Sequence, residues 1–196
     1  GFSDGTSDLD NGVIGFTDGG YGVYGFSNAA GQYAGYFDGP IRAGSCTGCS
    51  TSLIVRNTSE TTLSKGDLIQ ADGMDAQLAG AERPFIQVTG AESSDQVLGV
   101  VVGRTDMTMV ESGEDQAKPG PHFGPTGGTA KPGDYLVVVV EGLTQVRVDP
   151  ETSVQAGDKV GVSPDGLAQT SDTSTFGMVM DETDENGLAW ALIGFE

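Results

Sequence analysis

Two ten-residue segments of the chain resemble each other, and they decide how its larger part folds. Residues 60–69 read Glu-Thr-Thr-Leu-Ser-Lys-Gly-Asp-Leu-Ile, and residues 151–160 read Glu-Thr-Ser-Val-Gln-Ala-Gly-Asp-Lys-Val. In both segments an apolar residue stands three positions before the Gly-Asp pair, a spacing that suits a tight turn leading into a strand. The match indicates either an internal duplication or the same turn chemistry arising twice.

The residues that follow the two segments also correspond. Each segment is followed by an Asp-Gly pair, at 72–73 and 165–166, and later by an apolar run with an internal glycine that ends near Thr-Asp. Two such halves, related by a pseudo-twofold axis, would close a compact β-barrel or β-sandwich with few free edges.

The apolar pattern around these segments is that of β-strands. Short runs rich in β-branched residues are bounded by Gly, Asp, Asn, Ser and Pro, and no long segment has helical spacing. The continuous apolar runs at 97–102 and 135–140 predict central strands covered on both faces, whereas the alternation at 144–148 predicts a half-exposed strand. Residues 111–133 are rich in Pro and Gly and predict a long surface loop. The sequence therefore predicts an all-β head over residues 52–196.

A second repeat, with a period of ten, fills the first 41 residues. Gly15, Gly25 and Gly35 mark its period, and most of the aromatic residues of the chain lie within it. A unit this short cannot bury an apolar face alone, so it needs neighbours from its own chain or from another. Residues 1–41 are therefore predicted to be a glycine and aromatic β-repeat arm for assembly, joined to the head by a small polar junction at 42–51.

We expect this arm to act by β-strand addition to an adjacent subunit. Main-chain hydrogen bonds would supply affinity, and aromatic side chains in pockets of the neighbour would fix the register. The aromatic side chains with this predicted role are Phe2, Phe16, Tyr24, Phe26, Tyr36 and Phe37.

Charge and composition exclude several classes of protein. The chain has 196 residues and a formal net charge of −19, which excludes a nucleic-acid binder because phosphate recognition needs cationic side chains. No apolar run approaches the roughly 18 residues of a membrane-spanning helix, and no phosphate-loop or dinucleotide fingerprint is present. The chain opens on Gly1 without Met, which agrees with removal of a leader and with an extracellular or cell-surface location.

The junction contains a Cys-Thr-Gly-Cys motif, and its Cys46 and Cys49 are the two cysteines of the chain. A zinc site would need two more soft ligands, whereas the one histidine, His122, lies far away in sequence. The favoured interpretation is a disulfide in an oxidising exterior, either between these two residues or between subunits.

Two further patterns point to ligands or modifications. Asp4, Asp8 and Asp10 precede Gly12 with oxygen ligands two and four residues apart, as in calcium loops, although the closing Glu of a twelve-residue loop is missing. Calcium is therefore the metal that this cluster suits, with solvated turns as the structural alternative. Residues 181–187 form a second acidic group, to which the same two interpretations apply. Asn57 begins an Asn-Thr-Ser sequon and is a glycosylation candidate.

The chain lacks a recognisable catalytic constellation. With 28 acidic residues, the sequence cannot single out the facing carboxylate pair of a glycosidase. A Ser-His-Asp triad could use His122 alone, and a histidine among Pro and Gly is typical of a surface residue. We therefore predict a protein that is not an enzyme.

The arm and head together resemble a known kind of protein. Residues 12–27, Gly-Val-Ile-Gly-Phe-Thr-Asp-Gly-Gly-Tyr-Gly-Val-Tyr-Gly-Phe-Ser, and residues 33–42 resemble the Gly-Val-Tyr-Gly repeats of bacterial surface and phage tail-fibre-like proteins. Residues 133–142 and 155–168 are similar to the small β-barrel head that follows such repeats. The resemblance implies a strand-turn repeat that runs into a compact β head.

The sequence thus favours an exported, non-enzymatic structural subunit that self-assembles into an extracellular filament or fibre. Its expected partners are copies of itself, with neither nucleic acid nor a membrane span. One alternative is a trimeric phage-type fibre tip whose head binds a receptor or glycan. A second alternative is a carbohydrate-active or self-cleaving enzyme.

Overall fold

The computed structural model describes residues 50–76, 84–110 and 120–194, all of which belong to one compact unit, Ala43–Glu196. The strands are β1 (Thr51–Asn57), β2 (Leu68–Met74), β3 (Ile86–Gly90), β4 (Val97–Val110), β5 (Gly120–Pro125), β6 (Tyr135–Arg147), β7 (Lys159–Val162), β8 (Ala168–Thr170), β9 (Gly177–Val179) and β10 (Leu188–Ile193). In these ranges the one helical element is a short 3-10 turn at Ser94–Gln96. The predicted all-β class is confirmed.

Five strand pairings close a ring, called here the first ring. Strand β1 pairs in parallel with β3, and β3 pairs with β2, β2 with β4, β4 with β6 and β6 with β1, all antiparallel. The half of β6 that takes part begins at Tyr135. Of the two predicted architectures, these closed pairings favour the barrel over the sandwich.

The later half of β6 takes part in a second ring. It pairs with β10, β10 with β9, β9 with β7 and β7 with β8, all antiparallel. A parallel bridge between Val148 and Ala168 connects β8 back to the residue that follows β6. The runs 135–140 and 144–148, predicted as two strands, thus largely merge into one long strand that serves both rings.

The two rings repeat each other at the level of register, which favours an internal duplication over similar turn chemistry arising twice. Val55 opposite Leu136 in the first ring corresponds to Val146 opposite Ala189 in the second. The parallel pair of Asn57 with Val88 has its counterpart in the bridge that closes the second ring. Similar turn chemistry alone would not reproduce the pairing partners of every strand.

The Gly-Asp segments form matching turns. Gly66 and Gly157 have φ values of 87° and 95°, in the left-handed region that favours glycine. The carboxylate of Asp67 accepts a hydrogen bond from the Ser64 N–H at 2.7 Å. The carboxylate of Asp158 does the same for the N–H three residues earlier, at 2.8 Å. The aspartate therefore fixes the turn, and the glycine supplies its backbone conformation.

Each ring has its own apolar core, and the second core includes part of the first ring. Val55, Ile69, Val88, Val101 and Val138 belong to the first core, together with their buried neighbours. The second core contains the inward side chains of the second ring and also the outer side chains of the first ring: Leu68, Val100 and Val139. Burial of one such side chain contributes roughly 1.5–3 kcal/mol. The two rings are thus packed against each other.

The long apolar runs are covered on both faces, as predicted. The neighbours Val100 and Val101 are 0% and 1% exposed although their side chains point to opposite faces of β4. Val138 and Val139 on β6 are likewise buried. The reason is that one face lies inside the first ring and the other faces the second ring.

The prediction of a continuous loop at 111–133 is wrong for residues 120–125, which form β5 against the end of β4. Among the described strands β5 pairs with β4 alone. An edge strand tolerates Pro because its outer N–H positions need no partner. The ring of Phe123 packs edge-on against Phe85 and Tyr135, at 5.3 and 5.4 Å between centroids, and these contacts hold β5 to the first ring.

Candidate functional site

Most of the predicted site residues lie outside the described residues. This holds for the arm aromatics, the two cysteines and the first acidic cluster: Phe2, Phe16, Tyr24, Phe26, Tyr36, Phe37, Cys46, Cys49, Asp4, Asp8 and Asp10. Their roles in strand addition, disulfide formation and calcium binding stay predictions.

Asn57 is the predicted site residue that the structure describes, and the interpretation as a glycan acceptor has to be corrected. Its side chain is 0% exposed. The amide nitrogen donates to the carbonyl oxygens of Thr61 and Ala130, both at 3.0 Å. The amide oxygen accepts from the Ser59 N–H and hydroxyl. A glycan on this nitrogen has no space in the fold, so Asn57 is a structural residue that holds the loop after β1.

The acidic group at 181–187 shapes a turn. Asp184 Oδ1 accepts hydrogen bonds from the backbone N–H groups of Asn186 and Leu188, at 2.8 and 2.9 Å. The bond from Leu188 is the main reason why the pKa of this carboxyl lies below its ordinary value of 3.8. Within 50–76, 84–110 and 120–194, no group of three His, Cys, Asp or Glu side chains is placed to hold a metal ion.

The most distinctive surface of the head is a patch of large apolar side chains on β6, β9, β10 and the residue directly after β9, which we call the apolar face. Its members are Leu143, Met178, Met180, Trp190 and Leu192. Leu192 stands opposite both Leu143 and Met178 in the strand pairings. The Met180 N–H donates to the Trp190 carbonyl at 2.7 Å, which places the two residues side by side.

The exposure of this face is high for such side chains. Leu143, Met178, Met180 and Trp190 are 44%, 41%, 49% and 44% exposed. Single exposed apolar residues are common on protein surfaces, whereas a contiguous group marks an interaction site. Met and Trp are also enriched at protein interfaces. The apolar face is therefore the candidate functional site of the head.

The narrow interior of the second ring explains why the large side chains point outward. Along β10, Ala189, Ala191 and Ile193 point inward and are 1%, 0% and 2% exposed. The intervening Trp190 and Leu192 must then lie on the outer side. Sequence reasoning missed the face because residues 188–193 are apolar throughout. The available signal was the alternation of alanine with large residues.

Acidic side chains border the apolar face. Glu141 precedes it on β6, and Asp181 and Glu182 follow Met180; all three are exposed. A partner carrying negative charge is repelled by this rim, since the chain as a whole has a net charge of −19. Contact at this face must therefore rely on apolar burial.

The chain enters the described region beside this face. The Ser50 hydroxyl donates to the Leu143 carbonyl oxygen at 2.9 Å, and Thr51 stands opposite Glu141 in the pairing of β1 with β6. Ser50 thus lies against the backbone of one member of the apolar face.

A polar cleft of about 730 Å³ lies where the two rings meet. Ser94, Thr173, Ser174 and Thr175 line it, together with Phe176 and other residues. The Ser94 hydroxyl oxygen accepts a hydrogen bond from the Val162 N–H at 2.8 Å and so connects the rings.

Comparison with known proteins gives similarities among solved structures. No family model matches the chain, and no curated protein matches it. The described part contains no helix long and apolar enough to span a bilayer. Among solved structures, the head fiber gp8.5 N base of bacteriophage phi29 is similar, with 16% identity, a TM-score of 0.41, and coverage of 74% of this chain and 95% of that chain. A similarity with so low an identity and TM-score does not indicate the function of this chain.

Proposed function

We propose that this chain is a non-enzymatic structural subunit that associates with copies of itself in an extracellular fibre or filament. The observation that carries the proposal is the apolar face, in which four large side chains on adjacent strands or directly after one are 41–49% exposed. A surface of this kind is stabilised when a partner removes it from water. Its Met and Trp content is typical of protein interfaces.

We further propose that the arm, residues 1–41, provides the second contact between subunits. It would add β edges to a neighbouring subunit, with its aromatic side chains fixing the register. The repeat period and the aromatic content support this role. A subunit with two distinct contacts can extend in one direction, as a fibre requires.

The experiment is assembly of the purified full chain, followed by sedimentation velocity and electron microscopy. We expect oligomers or fibres that grow with concentration, and a loss of the larger species when residues 1–30 are deleted. Far-ultraviolet circular dichroism serves as the control that the shortened chain keeps its head folded. If the shortened chain assembles as well as the full chain, the arm mechanism is wrong. A monomer at every concentration contradicts the function itself.

The cleft favours a second candidate, a trimeric fibre tip whose head binds a glycan. Clustered hydroxyl groups beside Phe176 suit the polar edges and the apolar face of a sugar ring. A polysaccharide panel tests this candidate, with Thr173→Arg as the variant that blocks the cleft and Met178→Ser as the control. Binding that Thr173→Arg removes and Met178→Ser keeps would favour the glycan-binding tip. Equal binding by both variants, or no binding, counts against it.

A further inference from the structure

The apolar face occupies positions of the second ring whose counterparts in the first ring form a buried interface. Equivalent strand pairings define two matching sets of residues. In the first ring the set is Leu68, Val100 and Val139; in the second ring it is Lys159, Met178 and Leu192. Two of the last three belong to the apolar face.

The first set is buried because the second ring covers it. Leu68, Val100 and Val139 are 1%, 0% and 7% exposed, and they belong to the same core cluster as the inward side chains of the second ring. The counterpart Met178 is 41% exposed. Inside the chain, the outer side of one ring is thus covered by another ring of the same kind.

The turns at Gly66 and Gly157, which lead into the two sets, differ in the same way: the first is covered by a neighbouring strand and the second is not. In the first ring, the Gly66 carbonyl oxygen accepts a hydrogen bond from the Arg147 N–H of β6 at 2.8 Å. A Cβ added at Gly66 would lie 2.8 Å from that nitrogen, whereas a Cβ added at Gly157 would meet nothing within 4 Å. The second ring therefore has a face and a turn equivalent to those through which the first ring contacts the second. In the described part of the chain, nothing packs against that face and turn in the same way.

We propose that the apolar face is covered by the head of a second copy of this chain. The interface between the two rings supports this occupant, because there one ring of the chain already covers the equivalent face of the other. The inference rests on the proposed self-association and names the surface and the partner. The acidic rim repels a second head of the same charge, so apolar burial drives the contact.

Trp190, the one tryptophan of the chain, lies in this face and reports on its burial. We expect the emission of the full chain to shift to the blue, and acrylamide quenching to fall, over the concentration range in which sedimentation velocity shows association. If association proceeds while Trp190 stays as quenchable as in the monomer, the inference is overturned and the proposed function stands. If the chain never associates, both fail.

Point variants test the energetic role of the face. Met178→Ser and Trp190→Ser are expected to weaken association about tenfold or more, since truncation of buried interface anchors has effects of this size. Met74→Ser is the matched control, because Met74 is 58% exposed and lies on β2, away from the face. Far-ultraviolet circular dichroism verifies the fold of each variant. Equal association of Met178→Ser and Met74→Ser contradicts the inference.

Photo-crosslinking identifies the occupant. A benzophenone amino acid at position 178 of the full chain, in a mixture of normal and ¹⁵N-labelled copies, should crosslink to residues 50–194 of another copy. Crosslinks to residues 1–41 would show that the arm covers the face, and crosslinks within one copy would show that the chain covers it itself. Either result, or an assembled sample without crosslinks, overturns the inference.

Discussion

Replacement of Gly66 by alanine, compared with the same change at Gly157, tests the packing of the two rings. Both glycines occupy the same position of the duplicated turn, with φ values of 87° and 95°. Both donate a backbone hydrogen bond to the neighbouring strand, Gly66 to Val101 at 2.9 Å and Gly157 to Val179 at 2.8 Å. The backbone cost of an alanine is therefore similar at the two positions.

The surroundings of the added methyl group differ. A Cβ at position 66 would lie 2.6 Å from Leu188 Cδ2 and 2.8 Å from the Arg147 nitrogen, whereas a Cβ at position 157 would have no neighbour within 4 Å. Leu188 can shift because it is a side chain, but the backbone nitrogen cannot shift without moving β6. The turn must then move away and lose the hydrogen bond from Arg147 to the Gly66 oxygen.

The expected magnitudes follow from these contacts. The left-handed backbone costs roughly 1–2 kcal/mol for alanine at either position. At position 66, overpacking adds roughly 1–3 kcal/mol, and the lost hydrogen bond adds about 1 kcal/mol. We therefore expect Gly66→Ala to lower the free energy of unfolding by roughly 3–6 kcal/mol, and Gly157→Ala by roughly 1–2 kcal/mol.

Urea unfolding followed by Trp190 fluorescence measures both values. The protein concentration has to be one at which sedimentation shows a single species, because self-association raises the apparent stability. The midpoint should fall much further for Gly66→Ala at an unchanged slope. Equal losses at the two positions would refute the tight packing of the first turn against β6, and with it the ring interface that the proposed assembly extends.

Three further predictions follow from the described residues. Self-association should strengthen as ionic strength rises from about 0.01 M to about 0.15 M, because the added salt screens the acidic rim and shortens the Debye length from about 30 Å to about 8 Å. Sedimentation velocity at the two salt concentrations measures the association, and weaker association at higher salt contradicts the prediction. Asn57→Ala should lower the free energy of unfolding by about 1–3 kcal/mol, because the Thr61 and Ala130 carbonyl oxygens lose the amide donor and the Ser59 N–H loses its acceptor. Asn186→Ala on the exposed turn serves as the control in the same urea experiment. The carboxyl of Asp184 should titrate below 3.8 in a carbon-13 NMR experiment, because its folded-state pKa is lowered chiefly by the hydrogen bond from the Leu188 N–H. The stability that this carboxylate contributes is present above the unfolded-state pKa and is lost as the pH falls through the lowered folded-state pKa. A titration at or above 3.8 would show that the hydrogen bond does not favour the carboxylate.

Turn chemistry made much of the head predictable from sequence. The Gly-Asp pairs at 66–67 and 157–158 require a left-handed glycine and a carboxylate that accepts a nearby N–H, both local features. The Asn186-Gly187 pair is likewise a local turn signal, and it lies in the connection between β9 and β10. Features of this kind depend on residues that are adjacent in the chain, so the sequence is sufficient to predict them.

Other features depended on contacts between distant residues. The Pro and Gly content of the segment that contains β5 is typical of a loop. The segment forms a strand because it pairs with the edge of β4 and because Phe123 packs against Phe85 and Tyr135. The Asn-Thr-Ser sequon is typical of a glycan acceptor. The Asn57 side chain is buried instead, and its burial is compensated by a hydrogen bond to the carbonyl oxygen of Ala130, 73 residues later in the chain. Neither outcome follows from the local sequence.

The sequence by itself determined the all-β class, the duplicated turns and the strongly acidic charge, because short-range backbone preferences and composition suffice for these. Only the tertiary structure decided which apolar residues are buried. Val100 and Met178 hold equivalent register positions, yet the first is 0% and the second 41% exposed. The physical reason is that burial depends on what packs above a strand: the second ring covers the first, and in the described part of the chain no third ring covers the second.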